Sequence, residues 1–313
     1  MALDSRKNVV ALVGGVGGAK LAHGLAQILA PEQLTIIVNT ADDFDLYGLR
    51  ICPDSDTIMY TLAGLVDKSN GWGIGGDTTH MLGALRRYGQ DTWFRLGDQD
   101  MATHVLRTSW LRAGCTQTQV TARLAAALGV RPQILPMSDE PVATLIDTVE
   151  YGELAFQHYF VRYRWQPTVK GLRYVGAEQA RLTPQVTAAL AKADVILIAP
   201  SNPWLSVAPI LAVPGMRAAL VARPIPRVAV TPIIAGQAVK GPAAKLMVEL
   251  GYLPSAAAVA AYYGDLINGF VYDKRDSGLS FPALRAVALD TWMQSEGDRV
   301  ILAREILTWI EGF

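Results

Sequence analysis

The opening of the chain constrains the fold most. Val9–Val13 is an apolar run of strand length stopped by Gly14-Gly15, and Ala19–Leu29 then sets Leu21, Leu25 and Ile28 at helical spacing. A second strand-sized apolar run, Leu34–Val38, follows. Strand, glycine turn, helix and strand compose a βαβ unit, and uninterrupted apolar strands of this kind are buried on both faces of a parallel sheet. The prediction is an α/β, Rossmann-like, doubly wound and mostly parallel sheet, with ligands at the carboxyl ends of its strands.

Further along, Asp42 to about Gly129 reads as mostly helical, with Thr92–Leu96 as an intervening strand. Asp56, Asp77 and Asp100 each stand just ahead of a helix-like segment, where an aspartate caps the exposed amides. Ile134–Leu135 and Thr144–Val149 read as extended, as does Phe156–Trp165, rich in aromatic and β-branched residues. Val195–Ala199 is the clearest central strand, broken by Pro200-Ser201-Asn202-Pro203. Later strands are expected at Val228–Val230, Phe270–Tyr272 and Ala286–Leu289. Helices are expected at Pro184–Ala191, Pro242–Leu250, Ala256–Tyr263 and Asp298–Ile310. With no repeat and no linker, residues 1–313 read as one domain, with a helical insertion at about residues 54–130.

Composition removes several classes of function. Of 313 residues 51% are hydrophobic and only 18% charged, which excludes a disordered chain. Lys+Arg 28 balance Asp+Glu 28, so no basic excess points to nucleic acid. Cys52 and Cys115 supply neither a disulfide framework nor a cysteine-rich zinc site, which suits a reduced cytoplasmic setting. No run approaches the ~18 apolar residues of a membrane span, and Met1–Asn8 lacks an apolar signal core. The expectation is a soluble cytoplasmic protein.

Gly14-Gly15-Val16-Gly17-Gly18-Ala19-Lys20 lies where the first strand hands over to a helix. Glycines let a backbone approach an anion, and a helix N-terminus offers unpaired amides and a favourable dipole. A P-loop would place Ser or Thr after the lysine, where Leu21 stands. The dinucleotide fingerprint fails at Lys20, and Asn39 occupies the tip of the second strand where a ribose-binding acid belongs. Phosphate or nucleotide binding without nicotinamide is therefore expected, a bare tight turn being the alternative. Lys20 suits either the surface or a phosphate.

Carboxylates crowd the same sheet edge. Asn39-Thr40-Ala41-Asp42-Asp43-Phe44-Asp45 follows the second strand, and Asp54-Ser55-Asp56-Thr57 comes soon after. Any one aspartate could cap a helix or bend a turn. As a group on loops they suit a hard divalent cation that would neutralise a bound phosphate. Trp72–Thr78 is a glycine-rich approach to a helix, and Arg95 before Gly97-Asp98-Gln99-Asp100 could meet a phosphate or a ring carbonyl. Asp98 and Asp100 suit metal or cap alike, and Ser201-Asn202 is either a ligand contact or a proline-bounded turn. His23, His80, His104 and His158 are scattered, so a zinc hydrolase is disfavoured, and no Gly-x-Ser-x-Gly elbow occurs.

In their joint order, these segments resemble the CofD/FbiA family of 2-phospho-L-lactate transferases over nearly the whole chain. The resemblance is carried by Gly14–Lys20, Asn39–Asp43, Cys52–Thr57, Trp72–Thr78, Leu96–Asp100, Leu135–Asp139, Pro200–Pro203 and Gly241–Ala243. The YvcK-like nucleotide-sugar-binding proteins, a non-catalytic alternative, share the glycine and Ser-Asn-Pro regions. The Trp-Gly-Ile and Leu-Gly-Asp segments favour the transferase.

The resemblance implies a coenzyme F420 enzyme. The ribityl hydroxyl of the deazaflavin Fo would attack a phosphorus that links GMP to a phosphorylated three-carbon acid, releasing GMP. It places Gly14, Gly15, Gly17, Gly18, Lys20, Ser201 and Asn202 on the nucleotide, and Asp56, Arg95 and Trp72 on Fo. It gives Asp42, Asp43 and Asp54 to Mg2+, Asp42, Asp43 and Asp56 to catalysis, and a homodimer as the assembly. Lactyl, enolpyruvyl and glyceryl donors all remain open.

Overall fold

Seven strands pair in parallel in the computed structural model, which describes residues 7–313. Most of the Met1–Asn8 stretch read for a signal core lies outside the described residues. In chain order the strands are β1 (Val9–Val13), β2 (Leu34–Val38), β3 (Gln133–Pro136), β4 (Val195–Ile198), β5 (Arg227–Val230), β6 (Gly269–Asp273) and β7 (Arg285–Leu289). Their spatial order is β3-β2-β1-β4-β5-β6-β7, with every pairing parallel. The winding reverses between β1 and β4, the crevice where open sheets of this kind bind ligands.

The unbroken apolar runs follow from burial on two faces. Val10 and Leu12 of β1 join Ile196 and Ile198 of β4 in one core, while Val9, Ala11 and Val13 join Val195 and Leu197 in the other. Alternate residues of one strand thus enter opposite cores. Helix α1 (Gly15–Ala26) leaves β1 and packs against the C-terminal helix Glu296–Ile310. Gly24 permits that approach, since a Cβ there would lie 2.0 Å from the Arg299 carbonyl oxygen.

Between β2 and β3 run an antiparallel hairpin (Phe44–Leu46 with Leu49–Ile51) and four helices, α2 (Pro53–Leu62), α3 (His80–Arg87), α4 (Asp100–Arg112) and α5 (Gln117–Ala127). The hairpin was not legible in a region that read as helical. Between β3 and β4 a small antiparallel sheet is built from Ala143–Thr148, Gly152–Ala155 and Val169–Val175. Among the described residues no helix is long and apolar enough to cross a membrane.

Two extended segments are corrected. Thr92–Leu96 is an irregular loop, and its half-buried aromatics cluster with the hairpin, Phe94 lying edge-on to Phe44 at 4.9 Å and to Trp93 at 5.6 Å. Phe156–Trp165 contains a short π-helix, His158–Arg162. Phe156 and Phe160 stack at 5.2 Å, the i,i+4 contact of a helix rather than the alternation of a strand.

The caps differ as well. Asp77 accepts from the Gln99 and Asp100 amides and so caps α4, whereas Asp98 accepts from the His80 and Met81 amides and caps α3. Each helix is capped by the loop leading to the other. Gly97 sits so close that a Cβ would overlap the Asp77 carboxylate.

Candidate active site

The glycine turn is clasped from behind by the loop after β4. The Ser201 hydroxyl accepts from the Gly14 amide (3.1 Å) and donates to the Gly14 carbonyl (2.7 Å). A Cβ on Gly17 would lie 2.5 Å from the Pro200 carbonyl oxygen, and one on Gly18 2.6 Å from Ser201 Oγ. These glycines are required by backbone proximity across the switch point. Gly15 is different. Its φ is +65°, and where a Cβ would stand there is open space.

Two residues expected on the nucleotide side have protein partners in this structure. Ser201 has its hydroxyl committed to Gly14. Lys20 points toward the C-terminal segment, its half-buried ammonium donating to the Met293 carbonyl at 2.7 Å, with burial and the nearby Arg299 charge lowering its pKa. Asn202 keeps a donor in reserve. Its Oδ1 accepts from the Trp204 and Leu205 amides, while its buried Nδ2 has no partner.

Asn39, at the tip of β2, organises the first carboxylates. Its Nδ2 donates to Asp42 (3.0 Å) and to Asp54 (3.1 Å), and its Oδ1 accepts from the Ala41 amide. Asp54, on the first turn of α2, lies against the glycine turn, where the nearby Gly15 amide holds its pKa down. Burial raises Asp54 to about 6 against those hydrogen bonds. Burial, then the charges of Asp54 and Asp43, push Asp42 well above the usual carboxylate range. Burial lifts Asp43 to about 7, opposed by Arg50, whose guanidinium lies 3.9 Å from Asp43 Oδ2. Asp42 Oδ1 and Asp43 Oδ1 are buried with no hydrogen-bond partner.

Asp56, expected at Fo, is paired within the protein. Two residues beyond Asp54 on α2, it faces the other way and grips Arg107 through both oxygens, Oδ2 to Nη1 at 3.1 Å. Arg107 is 1% exposed and also donates to His104 Nδ1 (3.1 Å) and the Arg50 carbonyl (3.4 Å). With Nδ1 accepting, the imidazole proton sits on Nε2, which faces Asp100 Oδ2 at 3.2 Å. Asp100 accepts from the Tyr60 hydroxyl at 2.6 Å. Asp56, Asp100 and His104 are near enough to frame a metal. The guanidinium already neutralises Asp56 and fixes the imidazole tautomer, so this group is a buried ion-pair hub.

Trp72 and Arg95 both line a small cavity of about 20 Å³, together with Asp67, Asp77 and Asp100. A larger cavity of about 80 Å³ opens beside Asp42 and Asp43, between Phe44, Trp93, Phe156 and His158. Sequence reasoning gave no role in the site to Arg107, His104, Trp93 or His158. For the first two a signal was present. Asp100, His104 and Arg107 are spaced i, i+4, i+7 and so share one face of α4, where three polar groups turned inward must satisfy one another.

A doubly wound parallel sheet with polar side chains gathered at its switch point defines a Rossmann-like ligand-binding α/β protein. Comparison narrows that class. A family model described as "2-phospho-L-lactate transferase CofD" matches residues 9–301. The chain belongs to this family and is a CofD-type transferase of coenzyme F420 biosynthesis. A phosphoenolpyruvate transferase of Kitasatospora aureofaciens is 41% identical over 94% of this chain and 97% of its own length. A 2-phospho-L-lactate transferase of Methanosarcina mazei is 41% identical over 90% and 93%. These relatives favour a transferase over the nucleotide-sugar-binding regulator. A solved upf0052 family protein from Bacillus halodurans, at 16% identity, shares the fold with a TM-score of 0.63, covering 96% of this chain and 99% of that one.

Proposed function

We propose that the chain transfers a phosphorylated three-carbon acid from a guanosine diphosphate-activated donor to the ribityl hydroxyl of Fo. A P–O bond forms to the acceptor oxygen, the P–O bond to GMP breaks, and the hydroxyl loses its proton. The observation that carries the reading is the convergence of Asp42, Asp43 and Asp54 beside the Gly15 amide, with two carboxylate oxygens buried and unpartnered. Enzymes named for two of the three-carbon acids among the relatives support the choice of donor class.

Hard carboxylate oxygens without protein donors suit Mg2+, and Asp42 and Asp54, with Asp43 beside them, would hold it. Bound there, the ion supplies positive charge against the donor's phosphates. The protein's own share is positional. Asn39 fixes the carboxylates, the remaining first-turn amides of α1 and the Asn202 Nδ2 face the nucleotide side, and Asp43 Oδ1 takes the hydroxyl proton. Without an ion burial lifts this carboxyl to about 7, and a cation beside it would draw it down toward the ionised, proton-accepting form. Phosphoryl-type transfer asks for little beyond such positioning and charge neutralisation.

We take the working form to be a cytoplasmic homodimer acting on small molecules and not on nucleic acid. Sedimentation tests the assembly. The decisive assay mixes the protein with Fo, Mg2+ and each guanylated donor in turn (lactyl, enolpyruvyl, glyceryl) and follows GMP and product mass. One donor is expected to release GMP fastest. No GMP from any of them, with tight binding of a UDP-sugar, would overturn the reading.

A further inference from the structure

Asp43 leaves one carboxylate oxygen open and has the other engaged. A carboxylate turns easily about its last bond, so the partners around it decide which oxygen is left for a reaction. Oδ1 is buried with no partner, while Oδ2 lies 3.5 Å from Gln117 Nε2 and 3.9 Å from Arg50 Nη2. At 3.9 Å the guanidinium supplies charge rather than direction, and its other arm reaches Asp45 Oδ1 at 3.5 Å. Direction has to come from Gln117.

Gln117 stands on a fixed base. It is buried and opens α5, 74 positions along the chain from Asp43. Just ahead of it Thr116 Oγ1 accepts from the Gln119 amide at 3.2 Å, and the Gln119 side chain accepts from the Thr116 amide at 3.0 Å. Just after it the Thr118 amide donates to Asp139 Oδ1 at 2.7 Å. A side chain leaving so constrained a backbone makes its contacts with little further loss of conformational entropy.

The amide reaches two segments at once. Nε2 carries two hydrogens, and its second partner is Cys52 Sγ at 3.1 Å. An ionised carboxylate only accepts, so the amide turns its nitrogen and not its oxygen toward Asp43. Cys52 is fully buried and stands at the N-cap of α2, two residues ahead of Asp54. One side chain therefore ties the loop that carries Asp42 and Asp43 to the helix start that carries Asp54. It sets the rotation of the Asp43 carboxylate and its spacing from Asp54 together.

We propose that Gln117 is a positioning residue of the transfer step, holding Asp43 by Oδ2 so that Oδ1 alone is presented to the acceptor hydroxyl. The inference rests on the reading of Asp43 as the proton acceptor. The test is a double-variant cycle pairing Asp43→Asn with Gln117→Met, which keeps the length of the side chain and removes its donor. GMP release from the fastest donor is followed, with urea midpoints in chelator alongside. Gln117→Met alone is expected to lower kcat roughly tenfold, as a sub-ångström displacement of a reacting group does, with KM for Fo and donor held within about twofold. In the Asp43→Asn background the same substitution should cost less than about twofold, and the two midpoint shifts should fail to add. Gln117→Glu keeps the shape but puts an acceptor where the donor was, so it should lose at least as much, and it carries the cycle should Gln117→Met fold poorly.

Unaltered kcat in either folded Gln117 variant overturns the inference. So do equal losses in both backgrounds, or midpoint shifts that simply add, since either makes Gln117 a packing residue indifferent to Asp43. A loss confined to KM would make it a binding residue and overturns the inference too. Asp43→Asn turning over at the wild-type rate removes the proton acceptor, and the inference falls with it. A slow Asp43→Asn beside a normal Gln117→Met leaves that reading standing and sinks the inference alone.

Discussion

Arg107→Ala is the substitution whose cost follows most directly from the structure. The guanidinium is buried, and among the described residues it is the only arginine or lysine paired with the buried Asp56 carboxylate, His104 standing 3.7 Å from Oδ2 with its acceptor nitrogen. Removing it strands a carboxylate in the interior and frees the Arg50 carbonyl. Breaking one side of a buried pair costs about 3–5 kcal/mol. At a few degrees per kcal/mol for a large domain, the melting temperature should fall by roughly 6–12 °C. Asp56→Asn should cost a similar amount, because it strands the arginine instead. The double variant Asp56→Leu with Arg107→Met removes both charges and fills their volume, so it should recover to within about 1–2 kcal/mol of wild type. Urea denaturation of the four proteins reads this directly. A further consequence reaches the site. Asp54 and Asp56 share the first turn of α2, so slack in the hub loosens Asp54 from Asn39 and Gly15, and kcat should fall more than KM rises. Arg107→Ala melting with wild type, or a double variant no better than the worse single, would refute this account.

Other perturbations follow from the same geometry. Gly18→Ala places a methyl 2.6 Å from Ser201 Oγ and 2.6 Å from Val13 Cγ1, and should destabilise by about 1–3 kcal/mol in urea, partly relieved by Ser201→Ala. Lys20→Met should lower stability while leaving KM for the donor within twofold, because the ammonium serves the Met293 carbonyl; a tenfold rise in KM would return Lys20 to the nucleotide. Asp43 binds a proton up to about pH 7 when folded but only to about 3.9 when unfolded, so its contribution to stability is complete below about pH 4 and declines as pH rises through 7. In chelator, wild type should therefore lose stability relative to Asp43→Asn across that window; a difference that is flat or of opposite sign contradicts the burial argument. Adding Mg2+ above pH 7 should raise the wild-type melting temperature more than that of Asp42→Asn, and equal shifts would remove Asp42 from the metal.

The strands of the sheet and the glycine turn could be read in advance because each is written in consecutive residues. Burial on two faces demands apolar runs such as Val9–Val13 and Val195–Ile198, and backbone contact between Gly17 and Pro200 admits no side chain. The misread segments are those where neighbours far along the chain set the outcome. Phe156–Trp165 has strand-like composition, but it coils so that its aromatics stack on one side. Asp77 and Asp98 exchange the helices they cap. Asp54 and Asp56 have the same chemistry and lie two residues apart, about 200° around a helix. One faces Asn39 and Gly15, and the other meets an arginine 51 positions away. Residue type and spacing brought the acids to one rim of the sheet. Whether a given carboxylate is left open to a cation or closed by a guanidinium depends on which side chain folding delivers to it, because in a low-dielectric interior the nearest partner sets both charge and availability.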